Sequence, residues 1–313
     1  MNVNDKLEVP SGFADYYSNH IKPQSAIFEQ KRLVYLRSFY WRLPVFIAAV
    51  VGSVFVYFSY THPVKNDDLQ IYFFVLAAVG YWVIRPIQAY KKDIKTQVFP
   101  IVFKFFGDNV SYNPLPNFTA GSLKQFAIIP NFSSETTQDE IKAPYNGVSI
   151  HMVQSTLVVG SGKNRRRVFK GVFMLLSMNK KFSTKTIVRK DLGLLGNIFQ
   201  SAAGLEAVHL EDPHFAEIFK VYSDDQVQAR YILTTSFMEN LLQLNEVFDG
   251  KSIEASFFDE ELLLKIDSSK PWFEPDTIFK PCNFAHDAKM ILQKMELVFK
   301  IIDILKLDSN TGV

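Results

Sequence analysis

The chain is poor in the residues that usually announce chemistry. Among 313 residues there is one cysteine, Cys282, which excludes an intramolecular disulfide and any cysteine-based zinc site. There is no G-x-S-x-G, no dinucleotide-binding glycine fingerprint, no kinase set and no H-E-x-x-H, so the common locally encoded active sites are absent. No cleavable leader is expected either, because the first apolar run starts far into the chain and no small-residue cleavage site follows it. A lone thiol suits a reducing compartment. What the chain has in quantity is aromatic: 29 Phe and 13 Tyr in a composition that is 48% hydrophobic, which argues against low-complexity disorder over most of its length.

Two long runs free of charge dominate the first third. Leu43 to Thr61 reads LPVFIAAVVGSVFVYFSYT, long enough as a helix to cross a hydrocarbon core of about 30 Å. LQIYFFVLAAVGYWVI, Leu69 to Ile84, is shorter, but Arg85 can snorkel and Pro86-Ile87 can continue toward the interface. Only HPVKNDD separates them, so the expectation is a tight transmembrane hairpin; the alternative is a buried helical hairpin in a soluble core. Lys31, Arg32, Arg37 and Arg42 precede the first run, and Arg85, Lys91, Lys92 and Lys95 follow the second. The loop has Lys65 beside two aspartates, so the positive-inside rule puts both termini in the cytoplasm. Aromatics at the run edges, among them Trp41, Tyr60 and Trp82, suit interfacial belts. The small-residue pairs Ala48/Gly52 and Ala49/Ser53 would let helices approach, more plausibly within the hairpin than between chains.

Charge is split along the rest of the chain. Gly160 to Leu192 contains ten Lys or Arg and one acid; Glu206 to Glu261 contains thirteen Asp or Glu and three bases. The near-neutral total of +2 is two opposite blocks cancelling. Patterning divides the chain into amino-terminal cytoplasmic helices (1–42), the hairpin (43–90), a helix and linker (91–125) and an α+β domain (126–313). Ser11 is read as the cap of a first helix ending near Pro23, with Ser25 to Arg42 running into the membrane. Lys91 to Phe106 continues helical and Asn109 to Thr119 is a linker. Beyond Phe126 the pattern alternates. GVSIHMV and STLVVG read as a hairpin around Gln154, RVFKGVFMLLSM and STKTIVRK as strands, LLGNIFQSAAG as a crossover and AVHLED as a further strand. PHFAEIFK reads as a short helix opened at Asp212-Pro213. Ser223 or Asp224 would cap DDQVQARYIL, with TTSFMENLLQLNEVF as a second helix; SIEASFF and ELLLKID form a hairpin around Asp259-Glu260. The last helix carries Ile291, Met295, Val298, Ile302 and Leu305 on one face. The fold expected is α+β, a transmembrane helical hairpin followed by a largely antiparallel sheet packed on helices.

The stretch most suggestive of a ligand is GSGKNRRRVFKG, Gly160 to Gly171. It fails the phosphate-loop pattern, since Leu157 stands at the first glycine and Asn164 replaces the hydroxyl that would bind magnesium. Its glycines suit a hairpin turn. Lys163, Arg165, Arg166, Arg167 and Lys170 are therefore assigned as a possible contact with anionic lipid headgroups, the alternatives being a solvated loop or pairing with the acidic half of the domain. Nucleic acid is not expected, because no aromatics interleave with the bases and the acidic half would repel it. His209, Glu211, Asp212 and His214 are metal-like in type but lack the spacing that makes ligands converge, and Asp212 reads as a cap. Asp224 and Asp225 read as cap and first-turn acid, with Arg230 as their partner. Convergence of Asp224, Asp225, Arg230 and His209 is what an enzyme would need. Cys282 lacks a histidine pattern that would activate it, and His286 is expected at the surface. No catalytic, cofactor or metal site is assigned.

EDPHFAEIFKVYSDDQVQARYILTTSFMENLLQL, Glu211 to Leu244, closely resembles the signature segment of a bacterial membrane-protein family catalogued only as a domain of unknown function, often encoded near LemA-type proteins. Phe169 to Val188, ASFFDEELLLKI, WFEP and the closing helix match as well. Gln228 and Thr235 depart from the residues common in relatives, Glu and Pro. The resemblance implies a two-span bacterial inner-membrane protein with its main domain in the cytoplasm and a possible LemA-type or other membrane-protein partner, and it carries no activity. Sequence and resemblance together point to binding or scaffolding at the membrane, with a membrane-tethered enzyme as the alternative.

Overall fold

In the computed structural model, which describes residues 11–59, 66–191, 204–247 and 252–305, the two apolar runs lie within long helices. Gly12, at a φ of 86°, starts α1 (Phe13–Tyr16) one residue later than the expected Ser11 cap. No break follows at Pro23. A π-helical turn, Tyr17–Ile21, leads directly into α2 (Lys22–Ser59), and this wider turn accommodates the missing N–H of Pro23 without a break. α3 (Asn66–Gln97) returns antiparallel and is followed by α4 (Phe99–Phe103) and a 3₁₀ turn, Lys104–Phe106. The first part of the inter-span loop and the crossover before Gly204 lie outside the described residues.

The described residues divide into two compact units, one within 11–102 and 274–289, the other within 103–273 and 290–305. In the first, polar and aromatic side chains zip α2 to α3. Lys31 donates to Gln97 at 2.9 Å, Tyr35 to Asp93 at 2.7 Å, and Arg42 to the Trp82 carbonyl at 2.8 Å with its guanidinium 4.7 Å from the indole. Farther along, Gly80 packs against the Phe46 ring, where a Cβ would make an ordinary contact at 3.4 Å. Of the two small-residue pairs, Ala49 and Ser53 are half-buried, while Ala48 and Gly52 face outward.

The strap 274–289 is clamped onto these helices. Arg32 donates to the Ile278 carbonyl at 2.6 Å and pairs with Glu29, whose carboxylate also accepts the Cys282 N–H at 2.9 Å. Phe28 meets Phe284 edge-on, and Phe39 meets Phe279.

The second unit is built on one antiparallel sheet of seven strands. They are β1 (Ser111–Asn113), β2 (Ser134–Tyr145), β3 (Val148–Val159), β4 (Arg166–Lys190), β5 (Glu206–Val208), β6 (Phe219–Ser223) and β7 (Ile253–Asp267). An Asn146-Gly147 turn, both residues at positive φ, joins β2 to β3 as a two-residue hairpin requires. β3 runs unbroken through Gln154, so the hairpin expected there does not exist. The buried Gln154 amide accepts the Trp272 N–H at 2.6 Å, which lets a polar side chain stay in mid-strand.

β7 doubles back on itself at Asp259, whose φ is 57°. The Asp267 N–H donates to the Ser252 carbonyl at 3.0 Å, and Lys265 reaches Glu254 at 2.7 Å, contacts an extended strand could not make. The hairpin expected around Asp259-Glu260 is present. β4 embraces it: residues 171–177 pair with 261–267, and 182–188 pair with 255–259, which accounts for the two strands expected there. One face of this arrangement holds Phe169, Phe173, Ile187 and Leu263 under Leu123, Phe126 and Ile128.

The helices α5 (Pro213–Ile218), α6 (Gln226–Ile232), α7 (Thr235–Val247) and α8 (Ala285–Leu305) complete the described fold. Ile291, Met295, Val298, Ile302 and Leu305 of α8 are all buried, as their spacing predicts. The fold is α+β.

Candidate functional site: the basic hairpin

The loop between β3 and β4 is a tight 3₁₀ turn, Gly162–Asn164. Gly160, at a φ of 80°, is obligatory: a Cβ there would overlap the Asn164 carbonyl oxygen. Backbone bonds from Asn164 to Ser161 (3.1 Å) and from Arg165 to Gly162 (3.3 Å) fix the turn, and Ser133 holds its base by donating to the Gly160 carbonyl at 3.2 Å. The register slips by one residue between Leu157/Val158 and their β4 partners, a bulge that re-aims the start of β4. Alternation along the strand then sends Arg166 and Arg167 to opposite faces.

Lys163, Arg165, Arg166 and Arg167 are exposed, and among the described residues none of them has an ion-pair partner. The described acids of the acidic half therefore do not pair with them. Lys170 is half-buried and donates to the Ser269 carbonyl at 3.0 Å, while its own carbonyl accepts the Ser268 N–H at 2.8 Å. A groove of 330 Å³ opens beside Arg167 and Lys170 and is also lined by Ser252, Asp267, Ser268 and Ser269. The serines and the acid were not singled out from sequence, although the polar run Asp267-Ser268-Ser269 closing an apolar strand is a visible signal.

The other acids and histidines do not assemble. Asp212 caps α5, accepting the Phe215 N–H at 3.0 Å, as expected. Asp225, rather than Ser223 or Asp224, caps α6 by accepting from Val227 and Gln228; Asp224 instead accepts the Lys185 N–H at 2.9 Å. Arg230 reaches Gln226 at 3.5 Å and pairs with neither aspartate among the described contacts, because both carboxylates are engaged by backbone. His209 lines a separate cavity of 260 Å³ with Phe215, Phe219 and Tyr222.

Asp276, His286 and Asp287 do come together, with ligand-type atoms within 4.8 Å of one another. Their donors and acceptors are occupied locally. Asp276 holds Lys280 at 3.0 Å and His286 at 3.3 Å, and Asp287 accepts the Asp276 N–H at 2.8 Å, so the group staples the start of α8. His286 is exposed, as expected. Burial pushes the Cys282 thiol up to about 11, which keeps it protonated and poorly nucleophilic at neutral pH.

Residues 167–307 match a family model described as "Protein of unknown function (DUF3137)". No curated protein matches the chain. Among solved structures, the crystal structure of the mycobacterial trehalose monomycolate transport factor A, TtfA, is similar at 9% identity, over 63% of this chain and 88% of that one, with a TM-score of 0.33. The matched range takes in Glu211 to Leu244, the segment that resembles a domain of unknown function.

Proposed function

We propose that the protein is an integral membrane anchor that holds a binding domain at the cytoplasmic face, where the basic hairpin contacts anionic headgroups. The observation that carries this reading is the set of exposed cations at Lys163, Arg165, Arg166 and Arg167, which among the described residues have no ion-pair partner. Two helices long and apolar enough to cross a bilayer support the anchor. The apolar window of the first is 0% buried within the protein and that of the second 11%, so the protein does not cover them as a soluble core would. The charge bias of the flanks favours cytoplasmic termini. The role is binding or scaffolding; a LemA-type or other membrane protein is the partner the family resemblance suggests.

The test is hydrogen exchange of the intact chain in nanodiscs. Backbone amides of 160–170 should gain protection when phosphatidylglycerol replaces phosphatidylcholine. Changing Arg165, Arg166 and Arg167 to Gln should remove that gain, since each base near the surface contributes about 1 kcal/mol. Equal protection in both lipids would reject the lipid contact.

A further inference from the structure

The groove beside the hairpin has features that a diffuse lipid contact does not require. Arg167 stands at it with an exposed, planar guanidinium that has no ion-pair partner among the described residues, a geometry suited to two-point recognition of phosphate oxygens. Lys170 spends one donor on the Ser269 carbonyl and keeps two. Ser268 donates its hydroxyl to the Lys270 carbonyl at 2.6 Å, leaving its oxygen as an acceptor. Asp267 lines the same groove, and its Oδ1 is buried with no hydrogen-bond partner among the described residues. A buried polar atom without a partner is uncommon and points to a missing donor.

Two cations beside an orphaned carboxyl do not suit a bare anion, which the acid would repel. They suit a ligand that brings a negative group and a donor together. The volume, 330 Å³, is at the small end of ligand sites and holds a headgroup-sized molecule. Burial pushes the Asp267 carboxyl above its ordinary range, consistent with a group short of a donor. We propose that this groove binds the phosphate ester of a polyol or amino alcohol, its phosphate on Arg167 and Lys170 and its hydroxyl or ammonium on Asp267. This rests on the reading of the hairpin as an anion-facing surface and gives it a specific site. A lipid headgroup and a free phosphate ester share this chemistry.

The experiment is calorimetry on the full chain in neutral detergent, with glycerol 3-phosphate, phosphoethanolamine and inorganic phosphate as probes. At least one ester should bind ten-fold or more tighter than inorganic phosphate. Arg167→Gln should weaken all three, whereas Arg166→Gln, on the other face of the strand, should change them little. Asp267→Asn should abolish the preference for the ester and, with the repelling charge gone, leave inorganic phosphate bound at least as tightly. Competition by phosphatidylglycerol nanodiscs would assign the site to a lipid headgroup, and its absence to a free ester. Inorganic phosphate binding as tightly as both esters, no binding at all, or equal losses from the two arginine changes would overturn the proposal. Should Asp267→Asn fail to fold, the ester preference of the unaltered protein still decides. Lipid-dependent protection of 160–170 without ester binding would sink the groove alone; ester binding without that protection would sink the lipid contact alone.

Discussion

Asp287 shows how one buried side chain couples local structure to pH. It is 2% exposed, and burial together with the neighbouring Asp276 carboxylate raises its carboxyl to about 6. An acid whose folded value lies above its unfolded one favours the fold most when protonated. Its contribution is complete below about pH 4 and fades as pH rises through 6, by on the order of 2–3 kcal/mol. Asp287→Asn keeps the oxygen that accepts the Asp276 N–H but removes the ionisation. Thermal melts of the two proteins from pH 4 to 7 should diverge, the variant becoming the more stable as pH rises; parallel curves would disprove the assignment. Gly171 is a second single-residue constraint. A Cβ there would overlap the Ile266 carbonyl oxygen across the β4–β7 pairing. Gly171→Ala should therefore cost about 1–3 kcal/mol, read as a lower denaturation midpoint.

Between strands, the least expected feature is a row of charges lying across three neighbouring arms of the sheet. Arg189 on β4 approaches Glu254 at 3.6 Å on one arm of β7, and Glu254 meets Lys265 at 2.7 Å on the other; Lys265 also sits 5.5 Å over the Phe169 ring. All three charged side chains are largely buried, so the middle carboxylate neutralises two cations in a poorly solvated setting. Glu254→Gln should destabilise by about 3–5 kcal/mol, in the range for breaking a buried pair. Changing Lys265 and Glu254 together to Met should recover much of that loss, as a double-mutant cycle would show. This row was not legible in sequence, because Glu254 and Lys265 become neighbours only through the hairpin at Asp259, and Arg189 only through β4. The hairpin itself was legible, as were α8 and the two apolar helices, since each depends on a local period. Failures came where a distant group overrides a local signal. Gln154 looks like a turn until Trp272 supplies its partner, and Pro23 looks like a stop until the π-turn absorbs it. SETTQDEIKAPY carries too much charge to read as a strand, yet it forms β2; its bulge buries Asp139 and Glu140, where Tyr112 donates to the first and His151 lies 2.7 Å from the second. The basic loop was legible as a turn, but the groove beside it was not, because Ser252 and Asp267 join Arg167 only through sheet pairing.

For the whole molecule, the near-zero net charge conceals a division of labour. A basic turn and an acidic helical segment belong to the same unit, yet Asp212, Asp224, Asp225 and Glu254 are engaged in caps, backbone contacts and an internal ion pair rather than with the basic turn. The other unit exposes Val51, Phe55, Phe58, Phe73 and Phe74, each more than half exposed, on helices whose polar contacts gather toward one end. Such surface is stable in lipid and a liability in water. The proposal of a two-span anchor rests on that distribution, and its orientation, with both ends on the cytoplasmic side, on the charge bias of the flanks. The most direct test labels single cysteines in intact cells with a membrane-impermeant maleimide, on a Cys282→Ser background. Asp67→Cys, between the spans, should react from outside, while Lys163→Cys, in the basic turn, should react only after the cells are opened, with both proteins remaining in the membrane after alkaline carbonate washing. Labelling of Lys163→Cys in intact cells, or release of the protein by carbonate, would contradict the account.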